Sequence, residues 1–279
     1  MKLQYSTKEL VRMANVLRTD AIKSMHAAGS GHPGGSLSLA EILSVLYFRI
    51  MDVNENQPDW EGRDRFILSK GHAAPIYYAA LAERGFFERA ELMSLRKIDS
   101  ILQGHPDKKR VPGVDMSTGS LGQGISAACG MAYYAKNRGK SWRVYCALGD
   151  GELQEGQVWE ALMSAAHYKL GNLTAVVDRN GLQIDGAVSQ VMEIEPLRDK
   201  LSAFGWEVTE TDGHNVPALT DILSEPRDVN GKPLVLICHT VKGKGVSFME
   251  NQAGWHGAAI NDEQYERAMR ELRCFSEVE

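Results

Sequence analysis

RVYCALGDGELQEGQVWEALMSAAHYKLGNLTAVVDRNGL, residues 143–182, is the stretch from which the fold is read. Arg143 to Leu148 is a short, mostly apolar run that stops at Gly149, as a buried strand does. Gln157 to Leu170 has the apolar spacing of a packed helix, with Gly171 placed as its terminator. Leu173 to Val177 is strand-like again. Further on, Trp206 to Glu210 alternates and Pro233 to Cys238 is another buried-strand run.

Upstream, residues 7–28 show helical spacing (Leu10, Ala14, Leu17, Ala21) and run into the glycine-rich turn Gly29-Ser30-Gly31-His32-Pro33-Gly34-Gly35. Ser38 followed by Glu41 reads as a capping box opening an apolar helix that ends near Met51. Helices are also expected near 73–84, near 88–97 and from Gly122 to Asn137, and Asn261 to Glu279 reads as one charged helix. Short apolar strands separated by helices predict an α/β fold, a mostly parallel sheet covered by helices on both faces. One domain over 1–279 with a C-terminal helical tail is expected. Ligands of such sheets sit beyond the carboxyl ends of the strands, which directs attention to the loops after Leu148, Val177 and Cys238.

Two of those loops carry chemistry. Gly149-Asp150-Gly151 offers a carboxylate to a hard cation, between glycines that let a phosphate approach the backbone. The amides opening the next helix would face that phosphate with the helix dipole behind them. Asp178-Arg179-Asn180-Gly181-Leu182 ends the following strand, so Asn180 could give an amide oxygen and Leu182 a carbonyl to the same ion. Mg2+ or Ca2+ bridging to two phosphate oxygens is the expected result. A lone GDG is compatible with a plain tight turn; the Asn-Gly thirty residues on is what adds to it.

GDG followed by Asn180 resembles the thiamine diphosphate fingerprint. SGHPGG at 30–35, SKGHA at 69–73, GHP at 104–106 and STGSLGQG at 117–124 narrow that resemblance to transketolases, over residues 5–260. The resemblance implies bound thiamine diphosphate, with His72, His256 and the Gly151 amide on its diphosphate and Asp150, Asn180 and Leu182 on the metal. It places Gly119 and Leu121 against the aminopyrimidine edge, and His32 and His105 over the thiazolium, facing the donor ketose. Glu155 matches an acid in a carboxylate network joining paired active sites, although a dipole partner in a first helical turn is an equal reading. His26 and His167 read as structural, and His214 and His239 stay open. Lys242-Gly243-Lys244-Gly245 could close over an anion or be a solvated loop.

In the family, a glutamate from a separate pyrimidine-binding domain completes the cofactor site. Only a short tail follows the last family-like segment here, so the resemblance implies a second, C-terminal transketolase-like subunit and an α2β2 assembly. The implied reaction is transfer of a two-carbon ketol unit from a ketose, phosphorylated or not, to an aldose. The alternatives are the alpha subunit of a 2-oxo acid dehydrogenase, a truncated deoxyxylulose-phosphate synthase, and a non-catalytic thiamine diphosphate-binding module.

Composition bounds the rest. A net charge of −5 and no basic face give no reason to expect nucleic acid. The longest apolar runs, such as Ile42 to Phe48, are too short to span a bilayer, and MKLQYSTKEL has no secretory apolar region. Cys129, Cys146, Cys238 and Cys274 are scattered without a CxxC pair, as in reduced cytoplasmic proteins.

Overall fold

The computed structural model describes residues 2–278, and for 274–278 the backbone alone. In chain order the elements are α1 (Thr7–Ala28), α2 (Pro33–Leu37), α3 (Ala40–Val45), β1 (Arg65–Leu68), α4 (Ala74–Glu83) and α5 (Gln123–Asn137). There follow β2 (Val144–Gly149), α6 (Gly156–His167), β3 (Leu173–Arg179), the short strands β4 (Leu182–Gln183) and β5 (Gly186–Ala187), α7 (Val188–Val191) and α8 (Leu197–Ala203). The chain continues through β6 (Glu207–Asp212), α9 (Val216–Ser224), β7 (Leu234–His239) and α10 (Asp262–Val278).

Five strands pair in the order β1-β2-β3-β7-β6, every pair parallel. Their side chains alternate between two cores, as a period of two requires. Tyr145, Ala147, Val176 and Leu236 join one core with α1, α3, α4 and α9, while Val144, Cys146, Leu148, Ala175 and Val177 join the other with α5, α6 and α8. The expected parallel sheet covered on both faces is the observed architecture. Among the described residues no helix is long and apolar enough to cross a membrane.

Several local expectations change. Ser6, with Glu9, forms the capping box of α1, whereas Ser38 does not N-cap α3. Its hydroxyl donates to Asp178 Oδ2 at 2.7 Å instead, and the helix predicted to open there begins at Pro33 and resumes at Ala40. That helix does end at the expected place, in a π-turn over Leu46–Ile50. Residues 89–94 form only a 3-10 turn. The left-handed residue after α6 is Lys169, φ +50°, and not Gly171. Edge strand β1 went unread because its four residues carry no alternation; all four are buried. The C-terminal helix is more than a charged tail, since Ala268, Met269 and Leu272 pack into the first core. Cys129, Cys146 and Cys238 are free and buried, and the side chain of Cys274 lies outside the described residues.

Candidate active site

Parallel register sets strand ends side by side. Gly149 pairs with Asp178 across β2 and β3, and Arg179 with His239 across β3 and β7. The GDG loop, the Asn-Gly loop and the loop after β7 therefore open into one cavity of about 220 Å³, which His72, Leu121, Asp150, Asn180, Leu182 and His256 help to line.

Asp150 is 2% exposed, and its carboxylate accepts from the Gly151 N–H (2.9 Å) and the Gly181 N–H (2.5 Å). Gly151, whose amide was expected to face a diphosphate, thus turns that amide onto Asp150, and a 3-10 turn over 151–154 separates it from α6. Asn180 Oδ1 accepts from the Leu182 N–H at 3.1 Å, and the Leu182 carbonyl accepts from Lys242 Nζ at 3.3 Å. Burial and the neighbouring Asp178 charge push the Asp150 carboxyl up to about 6. A buried carboxylate whose proton affinity a neighbouring aspartate raises is one that a cation relieves, and one carboxylate, one amide and one carbonyl are hard oxygen donors suited to Mg2+ or Ca2+.

The opposite need stands beside it. Lys242 is 2% exposed, and among the described residues no carboxylate lies within salt-bridge distance of its ammonium. Burial and the nearby Lys70 pull it down to about 8. A buried cation whose polar neighbours are the Leu182 carbonyl and His256 Nδ1, each at 3.3 Å, is suited to receive an anion. The loop 242–245 is accordingly no solvated excursion; its second lysine, Lys244, faces Glu250.

Three imidazoles gather at the mouth. His32 lies 5.3 Å from His72 and 5.6 Å from His256 between ring centres, and His72 lies 4.9 Å from His256. Burial, then Arg96 and His105, lower His32 to about 4; burial, then Lys242 and His32, do the same to His256; His72 is held well below the ordinary range. His105 sits apart from the three, its ring against Gly119, whose φ of +134° turns the chain there. A Cβ on Gly119 would meet that ring at 2.7 Å.

Glu155 is exposed at the N-cap of α6 and makes no capping bond. The acid that organises this end of the sheet is Glu152, unread in the sequence. It accepts from Ser69 Oγ (2.5 Å), the Gly122 N–H (2.9 Å) and the Gly149 N–H (3.1 Å), tying three loops together. Lys70, within SKGHA, and Asp178 were also passed over; they pair beneath the cavity. His214, left open by the sequence, accepts from the Val241 N–H and contacts Glu41 at 2.9 Å. His239 bonds Glu210 at the exposed edge, and His26 stacks on Tyr265, the structural part expected of it.

Comparison with known proteins identifies the family. Residues 7–276 match the family model described as transketolase, thiamine diphosphate binding domain. The 6-deoxy-6-sulfo-D-fructose transketolase subunit SqwG of Clostridium sp. (strain MSTE9) is 42% identical over 95% of this chain and 96% of its own length. An apulose-4-phosphate transketolase subunit of Phocaeicola vulgatus is 43% identical, over 97% and 95%. The crystal structure of Pichia stipitis transketolase in complex with sedoheptulose 7-phosphate superposes with a TM-score of 0.91 at 31% identity, over 96% of this chain and 41% of that one. This chain thus spans nearly the whole of two named subunits and about two-fifths of the full-length enzyme. It belongs to the transketolase family and corresponds to that family's thiamine diphosphate binding domain.

Proposed function

We propose that this chain, as one diphosphate-binding domain over 1–279, is part of a two-chain transketolase transferring a two-carbon ketol unit from a ketose to an aldose. The observation that carries this is the meeting of Asp150, Asn180 and the Leu182 carbonyl with Lys242, His72 and His256 in one cavity at the strand ends. Asp150, Asn180 and Leu182 would hold Mg2+ or Ca2+, as their oxygen donors suit, and His72, His256 and Lys242 the diphosphate, joined by the Gly151 amide once the metal takes up the Asp150 oxygen it now donates to. Gly119 and Leu121 would border the aminopyrimidine, and His32 and His105 would handle hydroxyls and protons of the sugar. Thiamine diphosphate, when bound, supplies the electron sink for carbon–carbon cleavage. The chain's own part is to neutralise, orient and shield it.

The partner is a C-terminal transketolase-like subunit bringing the pyrimidine-binding domain, in an α2β2 assembly where Glu155 lies toward the junction. Two relatives of nearly this length, each named as a subunit, support that reading. They are named for different ketoses, one a sulfo sugar and one a sugar phosphate, which supports a ketose with an anionic terminus. Three free, buried thiols accord with a cytoplasmic home.

The test mixes this chain with the candidate partner and follows ketol transfer with thiamine diphosphate and Mg2+, against Asp150→Ala. Transfer by the pair, abolished in the variant or by chelation, is expected. Equal activity of both versions would overturn the metal assignment, and sedimentation as a 1:1 pair would overturn α2β2.

A further inference from the structure

Arg96 lies outside every motif of the sequence and does not line the cavity, yet its guanidinium reaches His32 and packs on Gly104, the residue before His105. One terminal nitrogen is 3.3 Å from His32 Nδ1, and the other donates to Ser30 Oγ at 2.9 Å. The group rests on Gly104, where an added Cβ would sit 3.1 Å from Arg96 Cζ, so it bridges the loop of His32 and the loop of His105. Its backbone is left-handed, φ +59°, a conformation unfavourable for a residue with a side chain, and is closed by its N–H donating to the Leu102 carbonyl at 2.8 Å. Among the described residues no carboxylate pairs with Arg96. Ion pairing therefore does not account for where this charge is placed.

We propose that Arg96 is a positioning residue that fixes the tautomer of His32, so that Nδ1 accepts from the guanidinium and Nε2 presents its proton to the sugar. A guanidinium has donors and no acceptor, so Nδ1 must hold the lone pair. In the neutral ring the proton is then on Nε2, for which no protein acceptor exists among the described residues. The ring stays neutral because it is partly buried and faces only cations and imidazoles: Arg96, Lys242, His72, His105 and His256. Held this way, His32 meets a ketose hydroxyl or carbonyl oxygen as a hydrogen-bond donor. The inference rests on the assignment of His32 to the ketose.

The ring 15N shifts of the histidine-labelled full chain test it, with His32 assigned by His32→Gln. At pH 7 the wild-type chain is expected to show Nδ1 unprotonated and Nε2 protonated. Arg96→Met is expected to mix the two tautomers and to lower kcat of the assembled enzyme about ten-fold or more, with thiamine diphosphate affinity unchanged. Arg96→Lys, which restores one donor, is expected to recover the wild-type shifts. A proton on Nδ1 in the wild-type chain overturns the proposal and requires no variant to fold; so do unchanged shifts in Arg96→Met. Because the shifts are read without turnover, an Nε2-protonated His32 in a chain that transfers no ketol unit supports the tautomer assignment and counts against the transketolase reading instead.

Discussion

Lys70 and Asp178 form an ion pair that solvent does not reach: their side chains are 2% and 0% exposed, directly below the candidate diphosphate site. Asp178 also accepts from Ser38 Oγ at 2.7 Å, Asn180 Nδ2 at 3.2 Å and the Thr240 hydroxyl. Burial alone would raise its carboxyl, but Lys70 and these donors hold it below the usual range. One aspartate thus fastens α2's exit, the Asn-Gly loop and the loop after β7, and it supplies the counter-charge for a buried ammonium. Removing one partner of such a pair strands the other. We expect Asp178→Ala to cost about 3–5 kcal/mol in urea unfolding, and Lys70→Met less, since Asp178 keeps its neutral donors. A loss below about 1 kcal/mol in Asp178→Ala would show that the pair is not holding these loops.

The imidazole cluster predicts a pH dependence of stability. His32 and His256 are lowered to about 4 by burial and neighbouring cations, and His72 is held well below its ordinary value. At these three rings the folded state therefore binds fewer protons than the unfolded state between about pH 4 and 6.5, and the raised Asp150 carboxyl opposes this only in part. Stability should be full above about 6.5 and fall as pH drops toward 4. Urea midpoints at pH 7, 6, 5 and 4.5 check this, and inorganic pyrophosphate, by placing negative charge among the rings, should flatten the fall. A midpoint independent of pH over that range would mean the rings are not held neutral.

The sequence alone carried all of the sheet but its edge strand β1, because β2, β3 and β7 are apolar runs bounded by glycine or polar turns and their helices have clear spacing. It also pointed to Asp150, Asn180 and His72, which sit in loops where polar residues beside glycine stand out. What it could not carry were side chains whose partners are remote in the chain. Glu152 joins Ser69 and Gly122, Arg96 joins His32, and Ser38 joins Asp178 140 residues away. A local reading assigned Ser38 to the nearest helix because nothing in the spacing reveals a carboxylate arriving from another strand.

Gly119 sits where a side chain is excluded twice over, by its φ of +134° and by the His105 ring 2.7 Å from an added Cβ. Gly119→Ala should cost on the order of 1–3 kcal/mol and push the His105 ring out of line. Ketol transfer by the assembled enzyme should fall further than stability accounts for, while affinity for Mg2+ stays near wild type, since the metal donors lie on other loops. Thermal melts and metal titration of the same variant separate these effects. Equal losses in both readouts would indicate general unfolding and not displacement of one ring.

His214 offers the clearest case of a histidine acting through structure. Its Nε2 accepts from the Val241 N–H at 2.9 Å, so in the neutral ring Nδ1 carries the proton and donates to Glu41 Oε2, also at 2.9 Å. Burial would raise Glu41, but Arg18, whose guanidinium bonds it at 2.6 Å, and His214 together hold it down to about 2. The chain Arg18–Glu41–His214–Val241 thereby anchors α1 and α3 to the residue preceding Lys242. His214→Phe keeps a ring in place but leaves the Val241 N–H without its acceptor, a loss of about 1–3 kcal/mol. The loosened segment should exchange its amide hydrogens faster over 240–246 than elsewhere in the sheet, because opening there no longer breaks the bridge to Glu41. Affinity for thiamine diphosphate should weaken in parallel, since Lys242 loses its fixed place beside the Leu182 carbonyl and His256. Unchanged exchange at Val241 and Lys242 in a variant of lowered stability would assign His214 to core packing alone.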